Sequence, residues 1–257
     1  MNLNRIITIA SNVFWEVMRE RVLYLISFFI LALCGARALL TRVALETQDK
    51  ITVDLGIAAL AILSLLVTIF ASTGLINKEI EKRTILFLLA KPVSRGEVIV
   101  GKHLGISAAL AILIACLTAV YFGILTALQI NYPLASLLVA IIYIFLELSL
   151  IAAFAILFGV FTSSLLATLL TFAVYIMGHL SRDLLQLGEI SKNITVKNIT
   201  QGMYLVLPDL AKLDLKNIAV YGIIPPATEL LFNAVYAITY IVLLLAIANL
   251  IFWRRQF

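Results

Sequence analysis

Long runs of apolar residues, broken at a few places by short polar clusters, set the pattern of this chain. Val22 to about Ala36 or Leu40, Leu55 to Ile76, Leu104 to Leu128, Leu134 to Phe161, Leu165 to Leu180 and Ala227 to Trp253 are each apolar on all sides rather than on one stripe. Runs of this length suit the hydrocarbon of a bilayer, where a crossing helix needs about 20 apolar residues. The pattern predicts an all-α polytopic membrane protein with six transmembrane helices. Residues 1–21 differ. Ile6, Ile7, Ala10, Val13, Phe14 and Val17 recur at helical spacing among Asn4, Arg5, Ser11, Asn12, Glu16, Arg19 and Glu20. That is an amphipathic helix for the membrane interface, with Trp15 at headgroup depth.

Two polar stretches stand out, 77–103 and 181–222. The second contains Met203 to Leu207, Leu210, Leu213 and Leu215, too apolar for free solvent and too short to cross. It predicts short helices folded back over the outer end of the bundle. Of the 257 residues, 63% are hydrophobic and only 13% charged, against roughly a quarter charged in an ordinary soluble domain. The six spans and their loops use nearly the whole length, so 1–257 reads as a single transmembrane domain.

Charge fixes the expected orientation. With the N-terminus inside, most of the 19 basic residues face the cytosol, concentrated within a turn of span ends. Both termini are expected to be cytosolic. The net charge of +5 is not gathered into a basic, aromatic-laced stripe, so a nucleic-acid partner is not expected. Cys34 and Cys116 lie within apolar runs, as packing residues rather than a disulfide or metal pair.

The segment Glu79 to Gly105 holds the densest chemistry. Glu79 faces Arg83 four residues on, and Glu81 and Lys82 extend the charged face. Ile85 to Ala90 is too short to cross. Pro92 stops the helix. Ser94-Arg95-Gly96-Glu97 is a capping box for a new helix that continues into the third span. A helix, a stiff elbow and a capped helix could serve as a lever driven by a cytosolic partner, or could simply be a charged loop that sets topology.

The run through Glu79, Glu81, Lys82, Arg83-Thr84, Leu88-Leu89-Ala90, Pro92-Val93-Ser94-Arg95, Glu97 and Gly101-Lys102 resembles the cytosolic motif of type-2 ABC permeases. Tyr204 to Leu210, followed by Leu213-Asp214-Leu215, is similar to the leucine-proline-asparagine stretch before the last span of that family, with Asp209 where asparagine is usual. The resemblance implies that 77–103 contains the coupling helix that docks on an ATPase. It also implies a second permease chain, identical or different, and residence in the plasma (inner) membrane. The chain has no GxxxxGK[ST] segment, so it is expected to bind no cofactor itself, with ATP and magnesium held on the partner ATPase. Export of a substrate driven by that ATPase is the function the resemblance implies.

Glu147, in the middle of the fourth run, is costly in hydrocarbon by about 2.5–3.5 kcal/mol and must face the bundle interior or a wet cavity. Either an inter-helix hydrogen bond or a place on the translocation pathway accounts for it. Tyr143, one turn earlier, is the candidate partner on the same face. His179, Arg182 and Asp183 read as interfacial anchors and His103 as a headgroup contact. A secondary transporter would need several deep charges, and a membrane scaffold remains a non-transporting alternative. An intramembrane enzyme lacks its motifs here: no HExxH, paired intramembrane aspartates or serine elbow.

Overall fold

The computed structural model describes residues 2–19, 22–43, 47–81, 94–191 and 194–254, and the regular structure among them is all helical. In chain order the elements are α1 (Leu3–Arg19), α2 (Val22–Val43), α3 (Gln48–Glu81), α4 (Arg95–Ala127), α5 (Leu134–Phe161), α6 (Ser164–His179), α7 (Ser181–Ile190), α8 (Ile194–Val206), a 3-10 turn (Leu210–Lys212), α9 (Lys216–Ala219) and α10 (Ala227–Arg254).

Among the described residues, four helices are long and apolar enough to cross a membrane: α3 over Gln48–Leu75, α4, α5 and α10. Two more crossings arise if the pairs Leu3–Arg19 with Tyr24–Leu39 and Ser164–His179 with Ser181–Gly188 each count as one broken span, which gives six. The chain is a multi-pass membrane protein.

Helix α5 is the axis. Between Leu134 and Phe161 its only charged residue is Glu147, and a helix that is apolar all round is buried all round. Leu148 through Leu157 are almost wholly covered, with α3, α10, α4 and α6 packed around them. Helix α1 lies along the start of α4. It buries Ile6, Val13 and Val17 and leaves Leu3, Ile7 and Trp15 exposed. Gly101 and Gly105 make that approach possible: a Cβ at Gly105 would stand 2.6 Å from the Ala10 carbonyl oxygen, and one at Gly101 would stand 2.9 Å from Ile9 Cβ.

The fifth apolar run forms a helix where expected, but a short one. Sixteen residues rise about 24 Å, less than the ~30 Å of hydrocarbon. Helix α6 turns back from α5 at residues 162–163 and ends beside Glu147, about 21 Å along α5 from that turn. The stretch from Pro208 to Ala219 folds in beyond it: the 3-10 turn packs on α6, and α9 packs on α3 and on the Leu134 half of α5. There Leu210, Leu213, Leu215 and Ala219 are buried, and Ser136 Oγ donates to the Ala219 carbonyl at 2.6 Å. Short helices do form in 181–222, and part of that segment fills the bundle.

Candidate functional site

Two groups of polar residues sit where an apolar bundle has least reason to place them. The first is the pole where the start of α4 meets both ends of the chain. Ser94 caps α4, its Oγ accepting from Glu97 N at 3.2 Å while Glu97 Oε2 accepts from Ser94 N at 2.9 Å. The second carboxylate oxygen is also used: Glu97 Oε1 accepts from Asn2 N at 2.7 Å, beside the first turn of α1. Arg95 Nη1 donates to the carbonyls of Phe252 and Trp253 at 2.6 and 2.9 Å, at the end of α10. Hydrogen bonds to charged groups contribute about 1.5–3 kcal/mol when shielded, and less for a part-exposed arginine.

Of the residues read as ATPase-coupling, Lys82, Arg83, Thr84 and Pro92 lie outside the described residues. Glu79 and Glu81 fall on the last turn of α3, so the charged run begins as the end of a 34-residue helix rather than as a separate short one. Its first residues continue the i→i−4 ladder of the apolar span, and nothing before Glu81 breaks it. Lys102 and His103 are buried. Lys102 Nζ donates to the Leu75 carbonyl at 3.1 Å, and His103 Nε2 lies 3.1 Å from the Ser149 carbonyl. This overturns the expectation of a headgroup contact for His103: α4 turns that face onto α3 and α5, and the imidazole finds a backbone oxygen inside the bundle.

The second group surrounds Glu147, whose residue is 2% exposed. Its Oε1 lies 2.8 Å from His179 Nε2, at hydrogen-bond distance. The other imidazole nitrogen, Nδ1, is 3.8 Å from Asp214 Oδ2, and Asp214 Oδ1 pairs with Lys216 Nζ at 3.2 Å. The Tyr175 ring meets the imidazole edge-on with centroids 4.7 Å apart. Alongside, Asp209 is buried and its Oδ2 accepts from Arg182 Nε at 2.9 Å, with Lys212 Nζ at 3.8 Å. The Asp209 backbone N–H donates to the Tyr236 hydroxyl on α10 at 2.9 Å. An aspartate at this position is therefore matched by two cations.

Two expectations are corrected here. Tyr143 is not the partner of Glu147: its hydroxyl donates to the Leu230 carbonyl on α10. The two residues stand four apart on α5, but the phenol bonds a carbonyl of α10 and Glu147 pairs with an imidazole from α6. His179 is not an interfacial anchor, because α6 stops at the level of Glu147 and delivers the imidazole to it. Arg182 likewise serves Asp209, while Asp183 is exposed.

Sequence reading missed the 101–105 glycine pair as a helix-packing signal, although small residues four apart are such a signal. It also missed the pairing of Arg182 with Asp209, since nothing local joins residues 27 apart.

Tyr143→Phe removes one hydroxyl and leaves the Leu230 carbonyl to its own helix. A loss of about 1 kcal/mol is expected, read as a small drop in the thermal unfolding midpoint of the detergent-solubilised protein. A loss above about 3 kcal/mol would mean that the phenol holds more than this one bond.

The family model described as "ABC-2 family transporter protein" matches residues 7–257. No curated protein matches the chain.

Proposed function

The chain belongs to the ABC-2 family of transporter proteins, and from that premise we propose that this permease exports its substrate using ATP hydrolysed on a separate ATPase subunit. The observation that carries the reading is the extent of the match: residues 7–257 take in every spanning helix and the whole of 77–103. The lack of a phosphate-binding GxxxxGK[ST] segment is in keeping with ATP and magnesium being held on the partner. Export, a second permease chain, cytosolic termini and the inner membrane follow the resemblance and the distribution of basic residues at span ends.

In this reading Glu79, Glu81, Lys82, Arg83 and Thr84 form the docking face for the ATPase, and Pro92 makes the elbow stiff. A displacement of residues 82–93 would enter the bundle at two points, the end of α3 and the start of α4. The capping box matters because a frayed first turn would absorb the displacement. Ser94 and Glu97 satisfy the first amides of α4 and keep that turn helical.

Purification from native membranes tests the proposal. An ATPase carrying a phosphate loop should be recovered with the chain, and recovery without one overturns the reading. The double variant Glu79→Lys, Glu81→Lys should weaken that association at least tenfold, about 1.4 kcal/mol. Two glycines inserted beside Pro92 should leave association intact and separate hydrolysis from transport. If both variants bind and work like the parent, the segment sets topology only.

The Glu147–His179–Asp214 row favours a second reading, an ion-coupled carrier, because such carriers use ionisable groups at depth. Vesicles containing the chain alone distinguish the two. An imposed pH gradient that collapses faster than in empty vesicles, and no faster in a Glu147→Gln variant, supports the carrier; equal rates support the ATP-driven permease.

A further inference from the structure

The last helix of the chain is fastened to the turn that directly follows residues 82–93. Arg95 Nη1 donates to two successive carbonyls at the end of α10, and its guanidinium carbon lies 5.6 Å from the centre of the Phe252 ring. The final carbonyls of a helix have no amide within that helix to pair with, and a cation there also meets the negative end of the helix dipole. One turn earlier on α10, the Asn249 side chain lies against Gly96, where a Cβ would stand 3.5 Å from its amide nitrogen. Two neighbouring residues of α4, Arg95 and Gly96, thus hold the last two turns of a helix more than 150 positions away in sequence. Tyr143 and Asp209 fasten α10 near its start, at Leu230 and Tyr236, whereas Arg95 bonds the carbonyls at its far end.

We propose that Arg95 is a positioning residue that makes the end of α10 follow residues 82–93. ATP-driven movement of that segment then reaches the last spanning helix as well as α4. The inference rests on the permease reading above and adds to it a route: one side chain through which the partner ATPase acts on α10. Arginine suits the task. Its fork of donors can serve adjacent carbonyls while the cation stands over an aromatic ring, and a lysine would keep the charge but lose the fixed fork.

The test follows distances between spin labels in complexes captured through a tag on the co-purified ATPase. The background is Cys34→Ala, Cys116→Ala. One label pair is Leu250→Cys with Phe161→Cys, reporting α10 against α5; the other is Leu104→Cys with Phe161→Cys, reporting α4 against α5. All three label positions are exposed. Each pair is measured without nucleotide and with ATP plus vanadate. In the parent both distances should shift. In Arg95→Gln the α10 shift should fall by at least half while the α4 shift persists, and Arg95→Lys should retain part of the α10 shift. A purely stabilising role would lower the unfolding midpoint without separating the two shifts. The inference is overturned if the α10 shift in Arg95→Gln equals that of the parent, if both shifts fall together, or if α10 does not move in the parent. Capture of no parent chain with the ATPase defeats the permease reading itself, and this inference with it, at a step before any distance is measured.

Discussion

His179→Ala should cost about 3 kcal/mol, whereas Glu147→Gln should cost about 1 kcal/mol or less. The asymmetry comes from what each change leaves behind. Glu147 is buried within α5, and the His179 imidazole is its hydrogen-bonding partner at 2.8 Å. Removing the imidazole leaves a carboxyl in an apolar bundle with its partner gone, a change that costs about 3–5 kcal/mol in buried pairs. The lower end applies, because the His179 side chain is 21% exposed and water can replace part of it. Glutamine in place of Glu147 keeps the length of the side chain and offers both an oxygen and an N–H, so the imidazole retains a partner. Thermal unfolding of parent and variants in one detergent gives the comparison. About 3 kcal/mol corresponds to a fall on the order of 10 °C for a domain of this size. If Glu147→Gln proves the more destabilising of the two, the pair depends on a fixed negative charge at Glu147. If His179→Ala shifts the midpoint by less than about 1 °C, the imidazole is not what holds Glu147 in place.

The same pair shows where the sequence ceased to be legible. That Glu147 needs an interior partner follows from its place in an apolar run, because the cost of a buried carboxyl is local knowledge. Which partner it takes does not follow. The nearest candidate by helical spacing was Tyr143, and the observed one lies 32 residues away, at the end of a helix that stops short. The apolar run Leu165 to Leu180 reads as a crossing because composition reports what surrounds a helix. It does not report whether the helix continues to the far side. Features written in adjacent residues came through intact. Leu134–Phe161 has the bounds its apolar run suggests, and the Ser94–Glu97 box caps a helix that runs unbroken into the membrane-spanning part. His103 failed for the opposite reason. Its neighbour Lys102 suggested a wet surface, yet both side chains reach backbone carbonyls on other helices. Polar residues near span ends can be satisfied by water or by carbonyls, and only the packing of α4 against α3 and α5 decides between them.

Packing also underlies the second large effect: Gly105→Leu should lift α1 off α4. An added Cβ at residue 105 would meet the Ala10 carbonyl oxygen at 2.6 Å and Val13 Cβ at 2.7 Å, and a leucine would add three more carbons in that direction. The carbonyl belongs to the backbone of a helix and cannot turn aside as a side chain could, so the two helices must separate. Overpacking a well-filled site costs about 1–3 kcal/mol, and more when backbone must move; about 3 kcal/mol is expected here. Separation would uncover Ile6, Val13 and Val17, which are each about 5% exposed. It would also strain the bond from Asn2 N to Glu97 Oε1, which joins the start of α1 to the first turn of α4. A cysteine at Val13 in the Cys34→Ala, Cys116→Ala background reads this directly. It should resist a water-soluble maleimide in the parent and react at least tenfold faster in Gly105→Leu. Gly105→Ala should fall between the two, since its single methyl already lies inside the contact distance. If Val13→Cys reacts equally in all three, α1 is held by something other than its close approach to Gly105. If it stays protected while the unfolding midpoint drops, α4 has bent to accept the leucine and α1 has followed it.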